Sequence, residues 1–260
     1  MESEPATSLR RGIEILLALG AAKTATGAGH GVVALAGIVG ADKSRVSRTL
    51  RILAEYDLVR RDPVTLAYEP GWRLFALAQQ AGDERLRAAA DPFVQALVSE
   101  FDEAAHLSVL SGAGVLTVVS GAPSHALSAG GPVGRTVPAS CTSSGRALLI
   151  DHDRAALGRL LPVSILGGPG PNAPRDLDEL YARIEAARAR GFAIVDEEWE
   201  AGLVGAAAPV RDHNGAIVGA LNLSAPKFRF AERLAGAGER VSTVAVELSH
   251  ALGWPGAAAT

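Results

Sequence analysis

Residues 43–53, KSRVSRTLRIL, carry the side chains whose types and spacing most directly predict chemistry. On a helical wheel, Val46, Leu50 and Leu53 fall on one side of this segment, which predicts a helix with one buried face. The opposite side is basic and hydroxylic, with Ser44, Ser47, Arg48 and Arg51 at its centre and Lys43 and Arg45 at its edges. Because arginine can donate two hydrogen bonds to guanine and serine can contact bases or phosphates, the pattern predicts a major-groove DNA helix.

The charge around this segment favours the same function. Residues 43–61 include six basic and two acidic residues, although the formal net charge of the whole chain is -3. After Asp57, the runs LVRRD and LAYEP flank a turn at Pro63 and predict a β-hairpin. Such a wing would bring Arg60 and Arg61 to the DNA backbone beside the helix. A solvated charged face with no partner is the alternative.

The residues before this segment predict the helices that would support it. From Ser8 to about Ala22, apolar residues recur at helical spacing, with Ser8 as a candidate N-cap and Leu9, Ile13, Leu16 and Leu17 as the expected buried face. The short apolar run VVALAGIVG and the break at Gly40-Ala41-Asp42 then indicate a helix followed by a tight turn. We therefore expect a winged helix-turn-helix domain over residues 1–71.

The rest of the chain predicts a linker helix over residues 72–83 and a second domain over 84–260. A hairpin is expected around Gly112-Ala113-Gly114 and another at Asn214-Gly215, which is a strong turn signal between apolar runs. The expected helices span 143–150, 154–161, 176–190 with Gly191 as the stop, and 231–252. Strands interleaved with helices favour an α/β (α+β) sandwich for this domain.

Two strand residues are candidates for binding a small molecule. Asn222 and Ser224 share one strand face by their spacing, within an otherwise apolar run. An unpaired amide buried there would be costly, so the pair favours contact with a ligand. Ser143 and Ser144, at the start of a predicted helix, could either cap that helix or contact the same ligand.

The acidic residues Asp196, Glu197, Glu198 and Glu200 raise the question of a metal site. No cysteine lies near them in sequence and His213 is separated from them by a whole strand, so a solvated turn is the favoured interpretation.

Cys141 supports two further hypotheses. It could be a nucleophile with His106, His125 or His152 as its base, although no hydrolase signature surrounds it. It could also be a redox sensor, which would require an exposed thiol with a low pKa. As the one cysteine of the chain it excludes an intramolecular disulfide and a cysteine-cluster zinc site. We expect neither a metal nor another cofactor.

The composition bounds the setting in which the chain works. Apolar residues make up 48% of it, which is enough for two cores. No run of eighteen apolar residues occurs, and the N-terminal MESEPATSLRR lacks the features of a secretory signal. A cytoplasmic protein is therefore expected.

Several segments, in order and spacing, resemble the isocitrate-lyase-regulator (IclR) family of bacterial transcription regulators. They are SLRRGIEILLAL, ADKSRVSRTLRILAEYDLVRRD, AHLSVLSG, VPASCTSSGRALL, ARARGFAIVDEEWEAGLVGAAAPV and GAIVGALNLSAP. The resemblance implies a winged helix-turn-helix domain, a linker helix and a GAF-like effector-binding domain. It also implies a homodimer or a dimer of dimers that binds a palindromic operator as a repressor or an activator.

The same resemblance implies where the effector binds. The expected pocket residues are Cys141, Ser143, Ser144, Asp196, Leu203, Gly205, Asn222 and Ser224. Apolar walls with a few convergent polar groups are typical of such pockets. The asparagine and serine donors suit a small carboxylate or a phenolic, aromatic compound.

Overall fold

The computed structural model describes residues 4–21, 29–80, 84–123, 133–162, 166 and 168–256. The chain divides into two units, residues 1–84 and residues 85–260. The boundary expected from the sequence, after residue 83, lies one residue from this division.

The N-terminal unit is the predicted winged helix-turn-helix. Three helices precede a two-stranded antiparallel hairpin, and one helix follows it. The elements are α1 (Glu4–Ala21), α2 (Val32–Ile38), α3 (Lys43–Glu55), β1 (Val59–Arg61), β2 (Tyr68–Pro70) and α4 (Trp72–Gln80).

The face of α3 that was expected to be apolar is buried. Val46, Leu50 and Leu53 lie in one core with Ile15 of α1 and Leu35 of α2. This core leaves the polar side of α3 facing outward.

The prediction for α1 was wrong in two respects. Leu9, Ile13 and Leu17 are 69%, 49% and 66% exposed, whereas the buried side of the helix carries Ile15, Ala18 and Leu19. Apolar residues lie on both sides of this helix, so periodicity alone does not specify which side packs against α3. Ser8 lies inside the helix, because α1 begins at Glu4, and it is therefore not the N-cap.

The hairpin is tied to the helices at both ends. Its predicted turn forms around the Asp62 carboxylate, which accepts the backbone N–H groups of Val64 at 2.9 Å and Thr65 at 2.7 Å. At the N-terminal side of α2, His30 and Tyr68 exchange two backbone hydrogen bonds of 3.0 and 2.9 Å. At the other end, the Gly71 N–H donates to the Leu58 carbonyl at 2.9 Å.

The C-terminal unit is built on a six-stranded antiparallel sheet with the order β5-β4-β3-β8-β7-β6. Hairpins join β3 to β4 and β7 to β8, as the turn signals predicted. The elements are α5 (Glu84–Phe101), β3 (Ala104–Ser111), β4 (Gly114–Gly121), β5 (Thr136–Pro138), α6 (Ser143–Leu148), α7 (Arg154–Leu160), α8 (Leu177–Arg190), β6 (Ala193–Asp196), β7 (Leu203–Arg211), β8 (Ile217–Pro226), α9 (Lys227–Phe230) and α10 (Leu234–Ala251).

Helices cover both faces of this sheet. One apolar core joins it to α5 and α10, and a second joins it to α6, α7 and α8. The α8 helix ends as predicted at Gly191, which adopts a left-handed φ of 83°. The last helix begins at Leu234 rather than Ala231, because α9 and a 3-10 turn (Ala231–Arg233) precede it. The arrangement agrees with the predicted GAF-like α/β sandwich.

None of the helices in the described ranges is both long enough and apolar enough to cross a membrane.

Candidate nucleic-acid interface and effector cavity

The outer face of α3, defined by Lys43, Ser44, Arg45, Ser47, Arg48 and Arg51, is available for contact. Ser47 is half-buried and the other five side chains are exposed. The Arg48 Nε donates to the Ser44 carbonyl at 3.4 Å, and Arg45 Nε lies 3.7 Å from an Asp42 carboxylate oxygen. Within the described residues, Lys43 and Arg51 take part in no ion pair. The N-terminal unit therefore presents a cationic helix face.

The two arginines of the hairpin are held by its own residues. Arg60 forms an ion pair of 2.6 Å with Glu69 on the paired strand. Arg61 donates to the Leu66 carbonyl at 3.3 Å, and its guanidinium lies 5.5 Å from the centre of the Tyr68 ring. A contact between Arg60 and a phosphate would therefore compete with Glu69.

The C-terminal unit contains a cavity of about 330 Å³ on the α6 side of the sheet. Its walls are the sheet face, the start of α6 and the loop of residues 199–202. Seven of the eight residues expected in an effector pocket line it, namely Cys141, Ser143, Ser144, Leu203, Gly205, Asn222 and Ser224.

Asn222 has protein partners at both ends of its side-chain amide. Its Nδ2 donates to the Ser143 hydroxyl at 2.7 Å and lies 3.3 Å from the carbonyls of Ala206 and Leu223. The Ser224 hydroxyl donates to Asn222 Oδ1 at 2.8 Å. The amide thus joins two strands to the start of α6, a role that the pattern of the strand alone did not reveal.

Thr142, rather than either following serine, caps α6. Its side chain accepts the Gly145 N–H at 3.2 Å and donates to the Pro138 carbonyl at 2.9 Å. The capping alternative for Ser143 and Ser144 was therefore wrong. The Ser144 side chain is buried, lines the cavity and makes no hydrogen bond within the described ranges.

Asp196 is the predicted pocket residue that the structure leaves outside the cavity wall. Its carboxylate is 2.8 Å from Lys227 Nζ, and Glu197 is 2.6 Å from the same ammonium. The Glu197 carboxylate accepts hydrogen bonds from the Lys227 ammonium and from the Gly202 N–H, and these bonds hold its pKa below the usual range. Both acidic residues therefore serve to attach the loop to α9.

The prediction of a solvated acidic turn was wrong for Glu198. This side chain is buried. Both of its carboxylate oxygens accept hydrogen bonds from Arg146 of α6, and Nη1 of Arg183 on α8 lies 2.8 Å from its Oε1. Among the described residues, no group of three potential ligands could hold a metal ion.

Sequence reasoning missed part of the polar cavity lining. His106, Ser108 and Thr117 of the sheet and Arg135 beside β5 also face this space. A signal was present, since His106 and Ser108 have the same i, i+2 spacing as Asn222 and Ser224. The sequence hypothesis for His106 was a base for Cys141, not a residue of the effector pocket.

Cys141 meets the conditions of neither cysteine hypothesis. Its side chain is buried, and burial raises the pKa of its thiol to about 11. A β-carbon on Gly168 would lie 2.8 Å from the Cys141 sulfur, so the backbone at Gly168 packs closely against the thiol. Burial also lowers the pKa of His106 to about 4, which leaves a neutral thiol and a neutral imidazole at pH 7. His152 is outside the cavity wall, and His125 lies outside the described residues.

Comparison with known proteins identifies the family. Residues 78–250 match the family model described as the C-terminal domain of the bacterial transcriptional regulator IclR. The chain belongs to the IclR family. Among curated relatives, the Pca regulon regulatory protein of Pseudomonas putida is 34% identical over 140 residues, which span 54% of this chain and 48% of the relative. The repressor AllR of Salmonella paratyphi A is 26% identical over 250 residues, or 95% of this chain and 90% of AllR.

Solved IclR structures share the fold. An IclR homolog from Microbacterium hydrocarbonoxydans, solved in complex with 4-hydroxybenzoate, superposes with a TM-score of 0.76 at 21% identity over 94% of this chain and 99% of that one. The Thermotoga maritima IclR structure gives 0.72 at 22% identity over 96% and 100%. The family model describes bacterial transcriptional regulators, and this chain is accordingly a transcription regulator of the IclR type.

Proposed function

We propose that this IclR-family regulator binds operator DNA through the outer face of α3 and the hairpin, and binds a small carboxylate or aromatic effector in the cavity of its C-terminal unit. The cavity is the observation that carries the proposal. Its volume of about 330 Å³ lies near the lower end of the usual range for small-molecule sites, which suits a compact ligand.

For DNA, the supporting observation is the separation of roles on α3. Val46 and Leu50 hold the helix, whereas Arg48 and Arg51 extend into solvent and can reach base edges without loss of core contacts. Two copies in a homodimer, or four in a dimer of dimers, would read the half-sites of a palindromic operator in the cytoplasm. Half-sites about 34–36 Å apart, or a multiple of this distance, are then expected.

For the effector, the supporting observation is that the cavity is lined by both apolar and polar side chains. Apolar Val115, Val195 and Val204 line the cavity together with buried hydroxyl and imidazole groups. One related structure binds 4-hydroxybenzoate, an aromatic carboxylate of suitable size. A site of this composition can hold an aromatic ring and bind its polar substituents.

The test uses the full chain. Operator DNA is selected from random duplexes and mapped by footprinting, and a metabolite library is screened for thermal stabilisation, which reports a ligand that binds the folded state. Operator affinity is then measured with and without each hit. Symmetric protection of two half-sites and an effector-dependent change in affinity are expected; protection of a single half-site at every protein concentration would contradict the palindrome.

A matched pair of variants locates the effector. Gly205→Val places a new β-carbon 3.1 Å from the Leu223 carbonyl oxygen and 3.2 Å from the Ser143 hydroxyl, and so occupies part of the cavity. Gly219→Val on β8 meets Leu107 at 3.2 Å but does not line the cavity. Gly205→Val should bind operator without responding to the effector, whereas Gly219→Val should respond.

A further inference from the structure

Two side chains of β3 reach the cavity from the sheet. His106 and Ser108 are 6% and 3% exposed, and both line the cavity. In the sheet register His106 lies opposite Asn222 on one side and Ser120 on the other, and its Nδ1 is 3.1 Å from the Ser120 hydroxyl. The imidazole is thus fixed at one nitrogen, and its other nitrogen, Nε2, has no hydrogen-bond partner in the described part of the chain.

The neighbouring polar groups also have unused hydrogen-bonding capacity. Within the described ranges, neither the Ser108 hydroxyl nor the Arg135 guanidinium has a hydrogen-bond or ion-pair partner. Asn222 differs, because Ser143 and Ser224 already use its amide. Arg135 is exposed, whereas His106 and Ser108 are buried residues whose polar groups face the cavity. Buried polar groups are normally paired, so the two unpaired groups of β3 indicate that a ligand supplies their partner.

We propose that Arg135, His106 and Ser108 form an anion subsite that holds the carboxylate of the effector, a proposal that rests on the proposed function of this cavity. Asn222, Ser143 and Ser224 instead form a preassembled frame behind it. The assignment moves the polar recognition of the effector from β8 to β3 and to the residue that precedes β5.

The chemistry of the three groups suits a carboxylate. Burial and the nearby charge of Arg135 lower the pKa of His106 to about 4, so its ring is neutral at pH 7. In the tautomer in which Nδ1 accepts the Ser120 hydroxyl, the ring proton is on Nε2, from which it can be donated to the ligand. Arg135 supplies the charge and Ser108 a second donor. The exposed carboxylate of Glu200, in the loop on the cavity wall, disfavours an anion at that end.

The experiment measures binding to the full chain by calorimetry. The probes are 4-hydroxybenzoate, benzoate and succinate as carboxylates, 4-hydroxybenzamide and benzamide as neutral analogues, and phenylphosphonate as a different anion. Wild type should bind at least one carboxylate about tenfold or more tightly than the matched neutral analogue, since charge-assisted hydrogen bonds are the strong ones. It should also prefer benzoate to phenylphosphonate.

The variants assign that preference to residues. Arg135→Gln should reduce carboxylate affinity about tenfold or more and leave amide affinity unchanged, so the discrimination disappears. His106→Leu should weaken the carboxylates, and His106→Gln, which keeps an N–H donor, should recover part of the loss. Arg159→Gln, an exposed change on α7 outside the cavity, is the matched control and should behave as wild type. Unchanged thermal unfolding of Arg135→Gln shows that the variant is folded.

Three results would overturn the subsite: no binding of any carboxylate to wild type, preference for phenylphosphonate, or discrimination that persists in Arg135→Gln. An operator response to a neutral effector that is lost in Gly205→Val would then reject the subsite and preserve the proposed function. An operator response that survives in Gly205→Val would instead reject the cavity as the effector site.

Discussion

Arg146 and Glu198 form an ion pair that is almost completely removed from solvent, with side-chain exposures of 2% and 6%. Arg146 Nη1 donates to Glu198 Oε1 at 3.0 Å and to the Ile194 carbonyl at 2.9 Å. Both residues are close in sequence to residues that line the cavity, since Ser144 lies two positions before Arg146 and Trp199 follows Glu198. The pair therefore connects α6 to the loop of residues 199–202.

Removal of one partner should be more damaging than removal of both. Glu198→Leu leaves the Arg146 charge buried, and we expect it to lower the free energy of unfolding by about 3–5 kcal/mol. The double change Arg146→Met and Glu198→Leu replaces the charges by apolar groups and should recover much of this loss. Urea unfolding of the single and double variants measures the coupling. A double variant as unstable as the sum of the single ones would contradict the buried pair.

His106 should make stability depend on pH. Burial lowers its pKa in the folded state to about 4 from an unfolded value near 6.5, so the unfolded state binds more protons between these values. Stability is therefore fully present above about pH 6.5 and falls as the pH decreases toward 4, by at most about 3 kcal/mol from this group. Urea unfolding at pH 7.5 and pH 5 checks this. His106→Gln should reduce the pH dependence; an unchanged slope would mean that another group causes it.

The Asn222 frame should contribute to stability without any ligand. Asn222→Leu removes the donor to Ser143, and we expect it to lower the free energy of unfolding by about 1–3 kcal/mol. Ser143→Ala should cost less when Asn222 is already replaced, because both changes remove the same hydrogen bond. Purely additive effects in this double-mutant cycle would show that the 2.7 Å contact contributes little.

Arg48 and Arg51 should be required for DNA binding and not for folding. Each extends from α3 on the side opposite Val46 and Leu50, so alanine at both positions should leave the unfolding transition unchanged. Operator affinity should fall by about 1–3 kcal/mol for each arginine that contacts guanine. Gel-shift titration measures this, with the exposed Arg73→Ala on α4 as the control. Wild-type operator affinity in the double variant would exclude this face of α3 as the surface that contacts the operator bases.

Cys141 should react slowly with thiol reagents in the folded protein. Burial and a thiol pKa of about 11 leave very little thiolate at pH 8. A colorimetric disulfide reagent should modify it only at the rate at which the protein opens, and rapidly in 6 M guanidinium chloride. Rapid modification of the folded chain would restore the redox hypothesis.

Local rules were sufficient for most of the fold. Gly191 predicted the end of α8, Asn214-Gly215 predicted the β7–β8 hairpin, and the spacing of Val46 and Leu50 predicted the buried side of α3. In each case the physical cause lies within a few residues of the chain. The buried face of α1 was predicted wrongly because apolar residues occupy both of its sides, and only the packing with α3 selects one.

The cavity could be predicted only in part, because its polar groups come from distant segments. Ser143 and Asn222 were recognised individually, yet their mutual hydrogen bond joins positions 79 residues apart. The pairing of Glu198 with Arg146 spans 52 residues and converts an apparently solvated acidic run into a buried contact. Such partners depend on the sheet order, which places β3 beside β8 although four strands and three helices intervene within the described part of the chain.

The two attachments of the hairpin affect which DNA the N-terminal unit can accept. The backbone of His30 holds one strand, and Gly71 approaches the Asp57 carbonyl so closely that a β-carbon there would lie 2.0 Å from its oxygen. The hairpin and α3 consequently keep a fixed separation. Any change of shape that brings both into contact with an operator must therefore occur in the DNA. Operators whose flanking base-pair steps bend easily, or whose minor groove narrows easily, should then bind more tightly than stiff operators with the same contacted bases.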